Sequence, residues 1–193
     1  AAVSYENLLR DYPDIEEAEK VSFMIVKGFM KYAENSIPSR KMERYNYVIK
    51  SYNDFKYKYP SSKYLEEAHR YEIAAHYLAT KGAFEWAETS PMDEKERHYL
   101  TAFAEAKSQA PYLTERQNIE MAKHTEKGYF MIIKNYYLLS EIRKSNQKEA
   151  TLNQSIKSYY NFVDLFPNSK YMKEAEKLFK NSTEQLKKLK GNG

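Results

Sequence analysis

The stretch IKSYNDFKYKYPSSKYLEEA at residues 49–68 returns as IKSYYNFVDLFPNSKYMKEA at residues 156–175. The match extends backward without a gap at a constant offset of 107, so residues 19–68 realign on residues 126–175 with 20 identities in 50 positions. Glu19, Lys20, Phe23, Met24, Ile25 and Lys27 correspond to Glu126, Lys127, Phe130, Met131, Ile132 and Lys134. A copy this long is a structural module, and stacked modules generally serve as binding surfaces rather than reaction vessels.

Within each copy the apolar residues recur at three and four, the period of a helix buried on one face. Each copy contains an aromatic-Pro step, Tyr59-Pro60 and Phe166-Pro167, where the helix must stop because proline cannot donate to the preceding turn. Helix, short loop, helix and a Pro-marked turn is the plan of a tetratricopeptide-type solenoid, whose unit is about 34 residues, so the offset is near three units. The expectation is an all-α, tetratricopeptide-like right-handed helical solenoid of about eight antiparallel helices. It would form a single domain over 1–193, with modules at about 14–68 and 121–175 and an intervening helical segment at 69–120.

Composition agrees with long helices. The chain has only 5 Gly and 6 Pro in 193 residues, and no strand alternation is evident. A hydrophobic share of 42% excludes a disordered chain, and the 19 Tyr against one Trp suit helix faces that are apolar within and wet at their edges. The richest apolar stretch, Tyr129 to Ile142, is interrupted by Lys134, Asn135 and Glu141, so no membrane span is expected. Cysteine is absent, which removes disulfides, thiolate metal sites and a Cys nucleophile. The chain begins at Ala1 in what reads as the end of a helix, with an apolar stripe of Val3, Tyr5, Leu8, Leu9 and Tyr12, and is expected to be an excised piece of a longer protein.

Punctuation places the other helices. The second runs from about Asp14 to Glu34, with Ala18, Val21, Met24, Ile25, Phe29 and Tyr32 on its apolar side; the third runs from about Ser39 to Tyr59. Ser61 or Ser62 is expected to cap the fourth, and Gly82 to end or bend it. Ser90-Pro91 reads as the start of the fifth, with proline at its first position, and Pro111 closes it. Thr114 with Gln117 predicts a capping box for the sixth, which continues to about Arg143. The seventh ends at Phe166, and the eighth runs from Asn168 or Ser169 to about Lys190.

The two copies differ in an orderly way. Met42, Tyr45, Val48, Ile49, Tyr52, Phe55 and Tyr59 form the core half of the third helix, and Leu152, Ile156, Tyr159, Phe162 and Phe166 keep it apolar in the seventh. Outward-facing Arg44 and Tyr47 become Thr151 and Gln154. Tyr47 lies among Arg40, Lys50, Asp54 and Lys58, and an aromatic amid charges is a candidate partner-binding anchor; Arg40, Arg44, Tyr47 and Lys50 are the candidate site.

A net charge of +4 is mild and points to no nucleic-acid partner. The seven Lys and three Glu from Lys170 onward read as a solvated helix capping the stack, with an acidic partner or lipid headgroups as the sharper alternative. No phosphate loop or nucleophile elbow is present, and no cofactor is expected. His69, Glu72 and His76 could share a face but lack metalloprotease spacing, so no metal is expected and a surface or interface role is preferred for the histidines.

Four segments carry a resemblance: Ala33-Glu34-Asn35-Ser36-Ile37, Glu43-Arg44-Tyr45, Ser51-Tyr52-Asn53-Asp54-Phe55 and Tyr59-Pro60-Ser61-Ser62-Lys63-Tyr64-Leu65-Glu66-Glu67-Ala68. They resemble the C-terminal part of BamD-type outer-membrane assembly lipoproteins of the Bacteroidetes kind, over residues 1–70 and again over 126–180. The resemblance implies a non-catalytic scaffold at the periplasmic face of the bacterial outer membrane. Its partners would be the barrel-forming assembly subunit and unfolded outer-membrane proteins, and it would meet the membrane only through a lipid anchor, whose Cys is not in this chain. A generic tetratricopeptide adaptor, holding an extended peptide in a groove lined by Asn and Lys, is the alternative. Residues 71–125 resemble no known segment.

Overall fold

The computed structural model describes residues 1–191. Among them are eight α-helices and no strand: α1 (Ala2–Asp11), α2 (Ala18–Glu34), α3 (Pro38–Lys58), α4 (Leu65–Thr89), α5 (Lys95–Gln109), α6 (Glu115–Ile142), α7 (Ser145–Leu165) and α8 (Met172–Gly191), with a 3-10 turn at Ala110–Tyr112 after α5. They fall into two compact units, one of Ala1–Trp86 and Ala104–Asn118, the other of Ala87–Phe103 and Ile119–Gly193.

In the first unit α2 packs along α3, and α1 packs on α2. Its core is built from Phe23, Val26 and Met30 of α2, Val48, Tyr52 and Phe55 of α3, and Ala68, Ala75 and Ala79 of α4. Val26, Val48 and Phe55 have no exposed surface, and each such side chain contributes roughly 1.5–3 kcal/mol by leaving water. Burial also drives the Tyr45 hydroxyl up to about 12, with Glu34 and Glu85 adding to it. The apolar side of α1 is narrower than its sequence stripe: Ala2, Tyr5 and Leu9 join the core, while Val3, Leu8 and Tyr12 remain exposed.

In the second unit α7 packs along α8, and Phe130 and Ile133 of α6, Phe162 of α7 and Ala175 of α8 form the matching core. The duplication holds at atomic detail. Phe23 stacks on Tyr64 at 4.8 Å and 6°, and Phe130 stacks on Tyr171 at 4.8 Å and 5°. Ser62 donates to Glu19 at 2.5 Å, and Ser169 donates to Glu126 at 2.5 Å. Lys27 pairs with Glu67 at 3.7 Å, and Lys134 pairs with Glu174 at 3.2 Å.

The aromatic-Pro step also recurs in geometry, with φ/ψ of −137/73 at Tyr12, −131/62 at Tyr59 and −135/59 at Phe166. These residues leave the helical region because the following proline ring excludes it. Two short turns follow, Ser62 N–H to Tyr59 O and Leu65 N–H to Ser62 O, both 3.1 Å, repeated as Ser169 to Phe166 and Met172 to Ser169.

Several boundaries differ from the sequence expectation: α2 starts at Ala18 rather than about Asp14, and α8 at Met172 rather than Asn168 or Ser169. α4 begins at Leu65, so Ser62 is no N-cap: its hydroxyl accepts from Tyr64 N–H and donates across to Glu19. α4 also runs straight through Gly82, where an added Cβ would lie 2.7 Å from Lys41 Cβ; the glycine admits α3 rather than breaking the helix. Pro91 opens a turn, with Glu94 N–H bonded to Pro91 O, and α5 starts at Lys95. The capping box forms as expected, Gln117 N–H to Thr114 Oγ1 at 3.3 Å and Thr114 N–H to Gln117 Oε1 at 2.9 Å.

Candidate functional site

The first unit holds a cavity of about 830 Å³ where the start of α1 meets α2 and α3. Gly28 sets its geometry, because an added Cβ would meet the Ala2 backbone at 3.2 and 3.3 Å. Phe29, Tyr32 and Tyr47 give the cavity an aromatic wall, with the Phe29 and Tyr47 rings 5.5 Å apart. Lys31, Asn35, Lys50, Glu6 and Asp54 line the remainder. Asn35 donates to Lys31 O at 2.8 Å, whereas among the described residues neither lysine nor either carboxylate belongs to an ion pair. Aromatic surface, buried at Phe29 and exposed at Tyr32 and Tyr47, flanked by unpaired charges of both signs suits a polypeptide segment, which offers apolar side chains and main-chain or charged polar groups together.

The four sequence candidates divide. Tyr47 and Lys50 line this cavity. Tyr47 is 40% exposed and its hydroxyl donates to Glu43 at 3.0 Å, which raises the phenol pKa and lowers that of Glu43. Arg40 is not among the lining residues and pairs with Glu43 at 3.0 Å. Arg44 donates to Ser36 at 2.6 Å with its guanidinium 4.0 Å over the Tyr32 ring, so it braces one cavity wall from behind. Phe29, Lys31, Tyr32 and Asn35 are among the lining residues that sequence reasoning did not single out. The signal for them lies in the duplication, since Gly28, Phe29 and Tyr32 become Asn135, Tyr136 and Leu139 inside an otherwise repeating helix.

Those changed residues line a cavity of about 300 Å³ in the second unit, on the corresponding face of the hairpin. There the chain's own 92–96 segment is held by three hydrogen bonds: Asn135 Nδ2 to Met92 O at 2.8 Å, the Tyr136 hydroxyl to Glu96, and Arg143 to Asp93. Burial first, then the bond to Glu96, pushes the Tyr136 phenol far up. A chain segment thus lies against this face in both copies, the start of α1 in the first and residues 92–96 in the second, and the space left beside it is larger in the first.

The histidines divide: His69 is exposed, whereas His76 and His98 are buried and depart from a surface role. His76 is buried, with Nε2 2.9 Å from Glu72 and Nδ1 2.5 Å from Gln109, its ring stacked on Tyr112 at 4.2 Å and 3°. His69 sits 3.7 Å from Glu72 and stacks on Tyr52. Among the described residues no group of three or more His, Cys, Asp or Glu could hold a metal ion. No helix of the described residues is long and apolar enough to cross a membrane.

No protein-family model matches the chain, and no curated protein does. A solved structure described as a computational design of self-assembling cyclic protein homooligomers matches 99% of this chain and 82% of its own at 10% identity, with a TM-score of 0.28. That likeness is too slight to bear on fold or function.

Proposed function

We propose that this chain is a non-catalytic, tetratricopeptide-like protein-interaction scaffold whose first-copy cavity holds an extended segment of a partner protein. What carries the reading is the first-copy cavity itself, about 830 Å³ against about 300 Å³ beside the 92–96 segment in the second, walled by Phe29, Tyr32 and Tyr47 and bordered by Lys31, Asn35 and Lys50. Peptides selected from a random library for binding to the chain provide the test. Calorimetry of the best binder should show Tyr47→Ala and Lys50→Glu each weakening it about tenfold or more, as expected of anchor positions. Binding indifferent to both substitutions would overturn the site.

A partner in the outer-membrane barrel assembly machinery, met from the periplasmic side, is supported by the resemblance carried by residues 33–68. Affinity capture from native bacterial membranes should then recover the barrel-forming subunit. Recovery of unrelated soluble proteins alone would remove this assignment and leave the adaptor reading standing.

A further inference from the structure

The charged residues of α8 fall into two classes. Glu174 pairs with Lys134 at 3.2 Å, and Lys190 pairs with Glu149 at 3.4 Å. Lys173, Lys177, Lys180, Lys187 and Lys188 make no ion pair among the described residues, and all five are exposed. At about 100° per residue they lie within an arc of about 100°, in a stripe about 22 Å long. Glu184 stands inside the arc and Glu176 at its edge, both exposed, so the stripe carries a net surplus of three positive charges. The opposite face is committed to the protein, with Ala175 and Ser182 fully buried and Leu178, Phe179, Leu186 and Leu189 partly so.

We infer that the α8 stripe is a docking surface for an anionic phospholipid bilayer. Charge complementarity requires an anionic occupant, and side-chain chemistry selects among them. The arc contains no Arg and no aromatic residue, the side chains that anchor protein interfaces, whereas lysine is depleted there. Lysine is a strongly hydrated point charge on a flexible stem, suited to a diffuse plane of phosphates rather than to a fixed bidentate partner. Because the apolar face of α8 is already covered, attachment is electrostatic without insertion, and salt weakens it.

Sedimentation with vesicles is the test. Vesicles in which about a third of the phospholipid is phosphatidylglycerol should retain the full chain at low salt, and purely phosphatidylcholine vesicles should not. Retention should fall at least tenfold at about 0.5 M salt and in the variant K177Q/K180Q/K187Q/K188Q, whose helicity circular dichroism checks. A control, K20Q/K58Q/K107Q/K123Q, removes as many exposed lysines elsewhere and should keep most of the binding. Equal loss in both variants would reduce the effect to net charge and overturn the stripe. Absence of vesicle binding, with or without retention on an acidic polymer such as heparin, would overturn the bilayer as occupant.

Discussion

Arg44 donates to Ser36 at 2.6 Å, and in the second copy the two roles are exchanged: Arg143 occupies the place of Ser36 and donates at 3.1 Å to Thr151, which occupies the place of Arg44. The guanidinium has moved from the second helix of the hairpin to the loop before it, while the bond between loop and helix has been kept. Arg44→Thr should destabilise the first unit by about 1–2 kcal/mol, since it deletes a charge-assisted hydrogen bond and the cation–π contact with Tyr32. Adding Ser36→Arg should restore most of the loss, as urea denaturation of both single variants and the double variant would show.

The Ser155 and Ser182 hydroxyls make a second testable pair. Ser155 donates to Ile133 O at 3.3 Å and accepts from Ser182 at 3.2 Å, both residues being fully buried. The first copy places Val48 and Ala75 at these positions, also without exposure. Ser155→Val alone strands the Ser182 hydroxyl and should cost about 1–3 kcal/mol, whereas S155V/S182A should be near neutral or stabilising in the same assay.

Gly128 lets α5 approach α6. An added Cβ there would lie 2.7 and 2.8 Å from the Phe103 ring and 2.9 Å from Tyr99, while Phe103 is itself stacked on Tyr129 at 4.4 Å. Gly128→Ala gains up to about 1 kcal/mol of helix propensity but forces these rings apart at roughly 1–3 kcal/mol. Thermal unfolding should show a lowered melting temperature, and Gly128→Ala combined with Phe103→Leu should recover part of it.

His98 is buried, with Nδ1 2.5 Å from Ser90 Oγ and Nε2 3.6 Å from Glu94. Desolvation, and secondarily Arg97, hold its pKa below the ordinary value, with Glu94 opposing. A depressed histidine is neutral when folded and takes up its proton more readily when unfolded. Its contribution is therefore complete above the unfolded pKa of about 6.5 and is lost as pH falls through the folded pKa. Denaturation at about pH 7.5 and about pH 5 should show a smaller acid-induced loss for His98→Gln than for the parent chain.

Much of the helix plan is legible because it rests on local chemistry. Tyr59-Pro60 and Phe166-Pro167 stop helices through a clash confined to neighbouring residues, and Thr114 with Gln117 closes a cap within one turn. The errors share a long-range origin. Ser62 looks like a cap, yet its hydroxyl is committed to Glu19, 43 residues away, and Gly82 answers to Lys41 on α3. At the site, Tyr47 and Lys50 stand out as an aromatic and a charge on a polar face. Phe29 and Tyr32 do not, because periodicity assigns them to the buried side of α2, and the close seat of Ala2 on Gly28 that shapes the cavity beside them is a contact with another helix.

Two hairpins of like core and turn in one chain offer each helix a wrong mate during folding, since the turn residues and the stacked aromatics are interchangeable. The exchanged arginine works against such mispairing. α3 laid against α6 would set Arg44 beside Arg143, two like charges, and α2 laid against α7 would leave Ser36 and Thr151 with no guanidinium. A small asymmetry between the copies thereby lets each half of the chain find its own counterpart.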